Sequence, residues 1–248
     1  MAINTDKNSY TVLFATGMVI IVGALLAFMA SSFKEKITEN KRIEKQQNIL
    51  YAMGVNENDE TSVEFVSKSV VGKEFTKYIV KQYVITGNDV VEDANAYLID
   101  IKKEEAAAKD SNYTRRLPLF VGEKDNVTFY IIPVRGKGLW DAVWGYVAID
   151  TQLVIQGVYF DHAGETPGLG SNIKERFFMD DFKGEHFMDG DTFKGVAVAK
   201  GNADPKNNRK TDFAVDAIAG ATITGDGISA MLKKDLQLYV PYLKTLKQ

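Results

Sequence analysis

Residues 12–30 read VLFATGMVIIVGALLAFMA, and no charged side chain occurs from Ser9 to Phe33. At about 1.5 Å per residue, roughly 20 apolar residues cross a hydrocarbon core of about 30 Å. The pattern therefore predicts a membrane-spanning helix. Cleaved signal sequences have apolar cores of about 7–15 residues, a basic leader and a small-residue cleavage site. Here the leader has only Lys7 beside Asp6, and the stretch MASS at 29–32 is a weak cleavage site, which favours a retained anchor.

After the anchor, residues 34–53 read as a polar helix with Ile37, Ile43, Ile49 and Leu50 on irregular helical spacing. A polar break follows at 56–62, then a Val-rich second helical candidate at 65–85. Residues 97–108 form a further expected helix, and their EEAAAK run at 104–109 reads as a solvated face. The character then changes. Residues 127–134 (VTFYIIPV), 142–149 (AVWGYVAI) and 154–160 (VIQGVYF) are β-branched and aromatic runs separated by turns, which predicts consecutive antiparallel strands. Residues 193–199 and 213–215 add two more candidates. Ile228, Met231, Leu232, Leu236, Tyr239, Val240 and Leu243 fall near one face of a C-terminal helix. The expected fold is α+β: an N-terminal transmembrane helix within residues 1–33, then one soluble domain over 34–248 with an antiparallel sheet and packed helices.

A chain of 248 residues suffices for such a domain plus an anchor. The net charge of −3, with bases scattered among acids, shows no nucleic-acid footprint. Cysteine is absent, which excludes disulfides, zinc–cysteine sites, iron–sulfur clusters and c-type haem within the chain. The segment KEKITENKRIEK at 34–45 carries more Lys and Arg than the leader. Taken alone, that charge count would place the soluble domain in the cytoplasm.

Candidate chemistry lies in three Gly-rich stretches: RGKGLW at 135–140, GETPGLG at 164–170 and AGATITGDG at 219–227. Each alone reads as an ordinary loop; three beside the strands suggest backbone approaching a ligand. With the last helix expected to start near Asp226, Thr222 and Thr224 lie at its N-terminal approach. Free amides and the positive dipole end make that a phosphate site. A helix cap worth about 1 kcal/mol would explain one threonine and leave the flanking glycines unexplained. Neither a P-loop nor a dinucleotide fingerprint is present. His162 and His186 lack metal-ligand spacing and read as surface or satisfied histidines, and there is no Gly-x-Ser-x-Gly elbow. Core packing is the default for Trp140 and Trp144, with Trp140 the alternative wall for a planar ligand.

Residues 220–224, Gly-Ala-Thr-Ile-Thr, resemble the G-A-[ST]-x-T core of covalently flavinylated FMN-binding domains. Together with GETPGLG, the single anchor and GLW before a strand, the chain is similar from about residue 34 onward to the C subunits of Na⁺-translocating NADH:quinone oxidoreductases. The resemblance implies covalent FMN on Thr224 through a phosphoester, installed from FAD by a flavin transferase. It implies that Thr222 and the amides around Gly220, Ala221 and Gly225 hold the phosphate, and that Glu165, Thr166, Gly168, Leu169 and Gly170 contact the isoalloxazine. Trp140 would flank the ring, and Lys200 is a weaker candidate for a ring or phosphate contact. Ala219 departs from the Ser, Thr or Asp usual before the Gly-Ala pair, which bears on transferase recognition. The implied protein is an electron carrier without a catalytic acid or base, tuned by its protein surroundings. Its partners would be the other membrane and soluble subunits of the complex, the transferase and, through one helix, the cytoplasmic membrane. The resemblance places the flavin domain on the outer side, against the local charge count. The rivals are the G subunit of Rnf-type ferredoxin:NAD⁺ complexes and a flavin-free anchored ectodomain.

Overall fold

The computed structural model describes residues 8–59, 62–201, 204 and 206–246. The leader with Asp6 and Lys7, and residues 60 and 61 of the expected polar break, lie outside the described residues. The chain forms two compact units that divide between Arg42 and Ile43. In the first, helix α1 (Asn8–Ser32) has no buried residue and is long and apolar enough to cross a membrane. Helix α2 (Lys34–Ala52) begins here, with a surface ion pair between Arg42 and Glu39 at 2.6 Å.

The second unit is built on a six-stranded antiparallel sheet in the order β2-β1-β3-β4-β5-β6. Its strands are β1 (Ile79–Thr86), β2 (Asp89–Glu92), β3 (Arg116–Lys124), β4 (Val127–Lys137), β5 (Ala142–Ile149) and β6 (Ile155–His162). The three β-branched runs thus become β4, β5 and β6, neighbours joined by short turns. Registry puts Ile131, Ala148 and Gly157 side by side on one face. There the end of α2 packs, with Ile49, Leu50 and Ala52 fully buried and the rings of Tyr51, Phe65 and Tyr159 within 6 Å of one another.

The opposite face carries helix α6 (Thr222–Leu246) and a short aromatic segment containing helix α5 (Arg176–Met179). Ile228, Met231, Leu232, Leu236, Tyr239 and Leu243 of α6 are all buried, as their 3.6-residue spacing predicts. Each such side chain contributes about 1.5–3 kcal/mol of burial. Tyr239 also donates to the Pro118 carbonyl in β3 at 2.9 Å. Phe160 of β6 meets Phe178 and Phe182 from the α5 segment. Helix α3 (Val71–Tyr78) and helix α4 (Ile101–Ala107) border the sheet. The pairs β7 (Met188–Asp189) with β8 (Thr192–Phe193), and β9 (Ala197–Ala199) with β10 (Ala214–Asp216), complete the unit.

Several expectations change. Residues 65–85 are not one helix: α3 occupies the middle and β1 the end, where Val84 pairs with Val91 of β2 and Pro118 of β3. The 97–108 helix begins only at Ile101, where Asp100 caps it. Its EEAAAK run is not wholly solvated. Glu104 is buried, accepting from Tyr113 Oη (2.6 Å), the Arg116 amide (3.1 Å) and the Arg116 guanidinium (2.5 and 3.0 Å). Residues 193–199 split between β8 and β9, and β9 pairs with β10 in parallel rather than antiparallel fashion. Helix α6 starts at Thr222, a turn earlier than expected.

One buried carboxylate makes stability depend on pH. Glu185 is fully buried, with Lys210 Nζ 3.5 Å from its Oε1. Burial pushes its carboxyl from 4.5 up to about 7, against the pull of Lys210 and Asn207. Below the unfolded value the group is neutral in both states. As pH rises towards 7 the unfolded chain ionises first, so folding loses up to about 1.4 kcal/mol per pH unit across that window. Glu185→Gln is expected to leave Tm nearly unchanged at about pH 4.5 and to raise it by roughly 5 °C at about pH 8, measured by thermal scans. An equal Tm difference at both pH values would contradict this assignment.

Candidate functional site

The three Gly-rich stretches meet where β4 turns into β5 and α6 begins. Gly220, with φ of +75°, turns the chain ahead of α6 in a conformation that L side chains rarely adopt. The Ala221 amide closes that turn on the Ile218 carbonyl. The amides of Thr222, Ile223 and Thr224 precede the Gly225 N–H to Ala221 carbonyl bond (2.9 Å), so they form the open first turn of the helix. Thr222 and Ile223 are exposed, whereas Thr224 is 1% exposed.

The centre of the junction is a pairing that sequence reading missed. Thr224 Oγ1 donates to Glu165 Oε2 at 2.6 Å. Glu165 is itself buried, and its Oε1 accepts the Trp140 amide at 2.9 Å. Burial pushes this carboxyl up, but the Thr224 hydroxyl and the amides of Trp140, Asp141 and Leu139 outweigh it and hold it below its ordinary value. Glu165 is therefore ionised at neutral pH. Two glycines leave room for it. A Cβ on Gly138 would stand 2.5 Å from Glu165 Oε1, and one on Gly170 would stand 2.5 Å from Oε2 and 2.6 Å from Thr224 Oγ1.

An apolar rim surrounds this centre. Trp140 is 67% exposed, and its indole N–H donates to Thr166 Oγ1 at 3.1 Å, tying the first Gly-rich stretch to the second. Leu139, Leu169 and Ile223 are also exposed, and the Leu169 side chain packs against Gly220, tying the second to the third. Core packing, the default for Trp140, does not occur; only Trp144, within β5, is half-buried. Thus Trp140, Glu165, Thr166, Leu169, Gly170, Gly220, Ala221, Thr222 and Thr224 are brought together, with Gly168 at the exposed loop tip. Lys200 stands exposed just after β9 and makes no hydrogen bond or ion pair with the cluster among the described residues. His162 accepts the Glu165 amide on Nδ1 at 3.1 Å, but its Nε2 is buried without a hydrogen-bond partner among the described residues, so the histidine is only half satisfied. Among the described residues no group of His, Asp and Glu could hold a metal ion.

The arrangement fits a flavin phosphate better than a hydrolytic centre. A helix N-terminus with its first amides free stabilises an anion. The exposed indole and aliphatic side chains offer an apolar surface for a ring, and among the described residues no nucleophile–histidine hydrogen bond accompanies them.

Residues 138–237 match the FMN-binding domain family. Those residues hold the whole cluster, from Gly138 to Thr224. A relative from Neisseria meningitidis serogroup A, the C subunit of a Na⁺-translocating NADH-quinone reductase, is 30% identical, covering 100% of this chain and 98% of its own. The C subunit of the Vibrio anguillarum reductase is 27% identical over 92% of this chain and 90% of its own. Among solved structures, the C subunit of the Parabacteroides distasonis reductase superposes with a TM-score of 0.69 at 32% identity, covering 86% of this chain and 96% of that one. NqrC of Shewanella oneidensis gives 0.65 at 26% identity, covering 83% and 99%. The chain belongs to the family of Na⁺-translocating NADH-quinone reductase C subunits.

Proposed function

We propose that the chain is the FMN-carrying, membrane-anchored electron-carrier subunit of a Na⁺-translocating NADH–quinone reductase, with FMN esterified through its phosphate to Thr224. The observation that carries this reading is the Thr224 hydroxyl, fixed by Glu165 at the open first turn of α6. The family membership and the FMN-binding match support the cofactor and the complex.

Thr222 and the amides of residues 222–224 hold the phosphate, and Trp140, Leu169 and the 164–170 loop flank the ring. A phosphodiester keeps one negative charge, which suits the helix N-terminus. Bound flavin supplies the redox chemistry by accepting and returning electrons, while the chain orients it and sets its electrostatics. Because Leu139, Trp140, Leu169 and Ile223 are exposed, a ring held there would remain accessible to electron exchange with other subunits. Helix α1 (Asn8–Ser32) anchors the chain in the cytoplasmic membrane, within an anchor segment of residues 1–33, and residues 34–248 form the FMN-binding domain on the outer side. Attachment requires a flavin transferase that uses FAD.

A second reading places the ester on Thr222, because Thr222 is exposed and Thr224 is not. Expressing the full chain with a flavin transferase tests both. A fluorescent band in a denaturing gel, mapped by mass spectrometry to Thr224, supports the proposal. Modification of Thr222 favours the second reading, and a dark band beside an active transferase rejects both.

A further inference from the structure

Among the described residues, Glu165 is the ionised side chain that hydrogen-bonds the atom that the proposed function modifies. An unassisted threonine hydroxyl is a poor nucleophile, and a general base must lie within about 2.6–3.2 Å of the oxygen whose proton it removes. Glu165 Oε2 meets that requirement at 2.6 Å. We infer that Glu165 is the base that takes the Thr224 proton when flavin is attached, a role built into the acceptor chain rather than borrowed from the transferase. This inference rests on Thr224 being the attachment site.

In the step, Thr224 Oγ1 bonds to the phosphorus of the FMN half of FAD. The bond from that phosphorus to the AMP half breaks, and AMP leaves with the bonding electron pair. The hydroxyl proton passes to Glu165 Oε2, and no group changes oxidation state.

The surroundings suit that transfer. Glu165 starts ionised because its neighbours donate hydrogen bonds to it. When the Thr224 O–H is lost and a phosphoryl charge arrives, one of those donors is gone and a like charge stands close, so proton affinity rises during the step. Among the described residues no other charged side chain hydrogen-bonds Thr224 Oγ1. The Asp141 carboxylate turns to the Ala142 amide at 2.6 Å, and His162 meets only the Glu165 backbone amide. Access is compatible as well. Residues 166–169 at the loop tip are exposed, while Glu165 is held from across the turn by the Trp140 amide. Gly170, next to that tip, packs against Thr224 Oγ1, so loading requires this stretch to move while Glu165 keeps its bond to the Trp140 amide.

The test is the rate at which purified full-length chain, flavin transferase and FAD yield a fluorescent band, alongside Tm for each variant. Glu165→Gln keeps an acceptor for the Trp140 amide but removes the base, and is expected to slow labelling about 100-fold or more. Glu165→Asp keeps the base but withdraws its oxygen, and is expected to fall between Gln and wild type. Should Gln not fold, a rate reduced about tenfold in folded Glu165→Asp supports the inference. A wild-type rate in either folded variant overturns it. Thr224→Ala serves as the reference: label surviving in it removes the attachment site itself, a failure distinct from that of Glu165.

Discussion

Thr224→Ala is expected to abolish covalent flavin completely, leaving no fluorescent band after coexpression with an active transferase. The substitution removes the only atom to which the proposed ester can form, so the effect is all or none. Some stability goes with it. The Thr224 hydroxyl donates to an ionised, buried carboxylate, and such bonds contribute about 1.5–3 kcal/mol. Folding of the unlabelled protein must therefore be checked by its far-ultraviolet circular dichroism. Thr224→Ser retains the hydroxyl and is expected to keep label. Thr222→Ala loses an exposed side chain beside the phosphate, so label is expected to persist at a reduced rate. Label lost from Thr222→Ala and kept in Thr224→Ala would reverse the assignment of the two threonines.

The second large effect concerns how α6 is seated. A Cβ on Gly227 would collide with the Lys137 carbonyl oxygen and stand 3.3 Å from Gly138 Cα. Ala in place of Gly favours a helix by about 1 kcal/mol. Against that gain, both obstructing atoms belong to the backbone where β4 ends, and forced repacking costs about 1–3 kcal/mol or more. The clash wins, because the carbonyl cannot retreat without moving the turn that presents Trp140. Gly227→Ala is expected to lower Tm by several degrees and to slow labelling, since Thr224 lies one turn earlier on the displaced helix. Gly225→Ala provides the contrast: its Cβ meets only the Val198 side chain at 3.0 Å, which can give way. Its Tm is expected to change little. Equal Tm values for the Gly227 variant and wild type would remove the close approach as a structural requirement.

These two positions also show where sequence is a sufficient guide and where it is not. The apolar run of α1, the runs that become β4, β5 and β6, and the 3.6-residue spacing of α6 are periodic local signals, and each is legible. The start of α6 is not, because Gly225 and Gly227 lower local helix propensity and TITGDG reads as a loop. The glycines are helical there because Val198 and the Lys137–Gly138 backbone approach so closely. Strand β3 is masked by Pro118, a residue that argues against a central strand. It is tolerated because pairing with β4 starts only at Phe120, opposite Ile131. Thr224 and the GETPGLG loop are recognisable as motifs. Their hydrogen bond is not, since Glu165 and Thr224 are 59 positions apart and only the fold brings them together. The same holds for Gly138, whose missing side chain makes room for a carboxylate from another loop.

The depth of the Thr224 hydroxyl also bears on how long a flavin would stay under the proposed attachment. With 1% of the residue exposed and Gly170 packed against it, water or a phosphodiesterase would meet the same barrier as the transferase. Whatever movement admits the cofactor would also set the rate of its loss. A chain that opens rarely would stay loaded without a binding equilibrium, at the cost of slow loading.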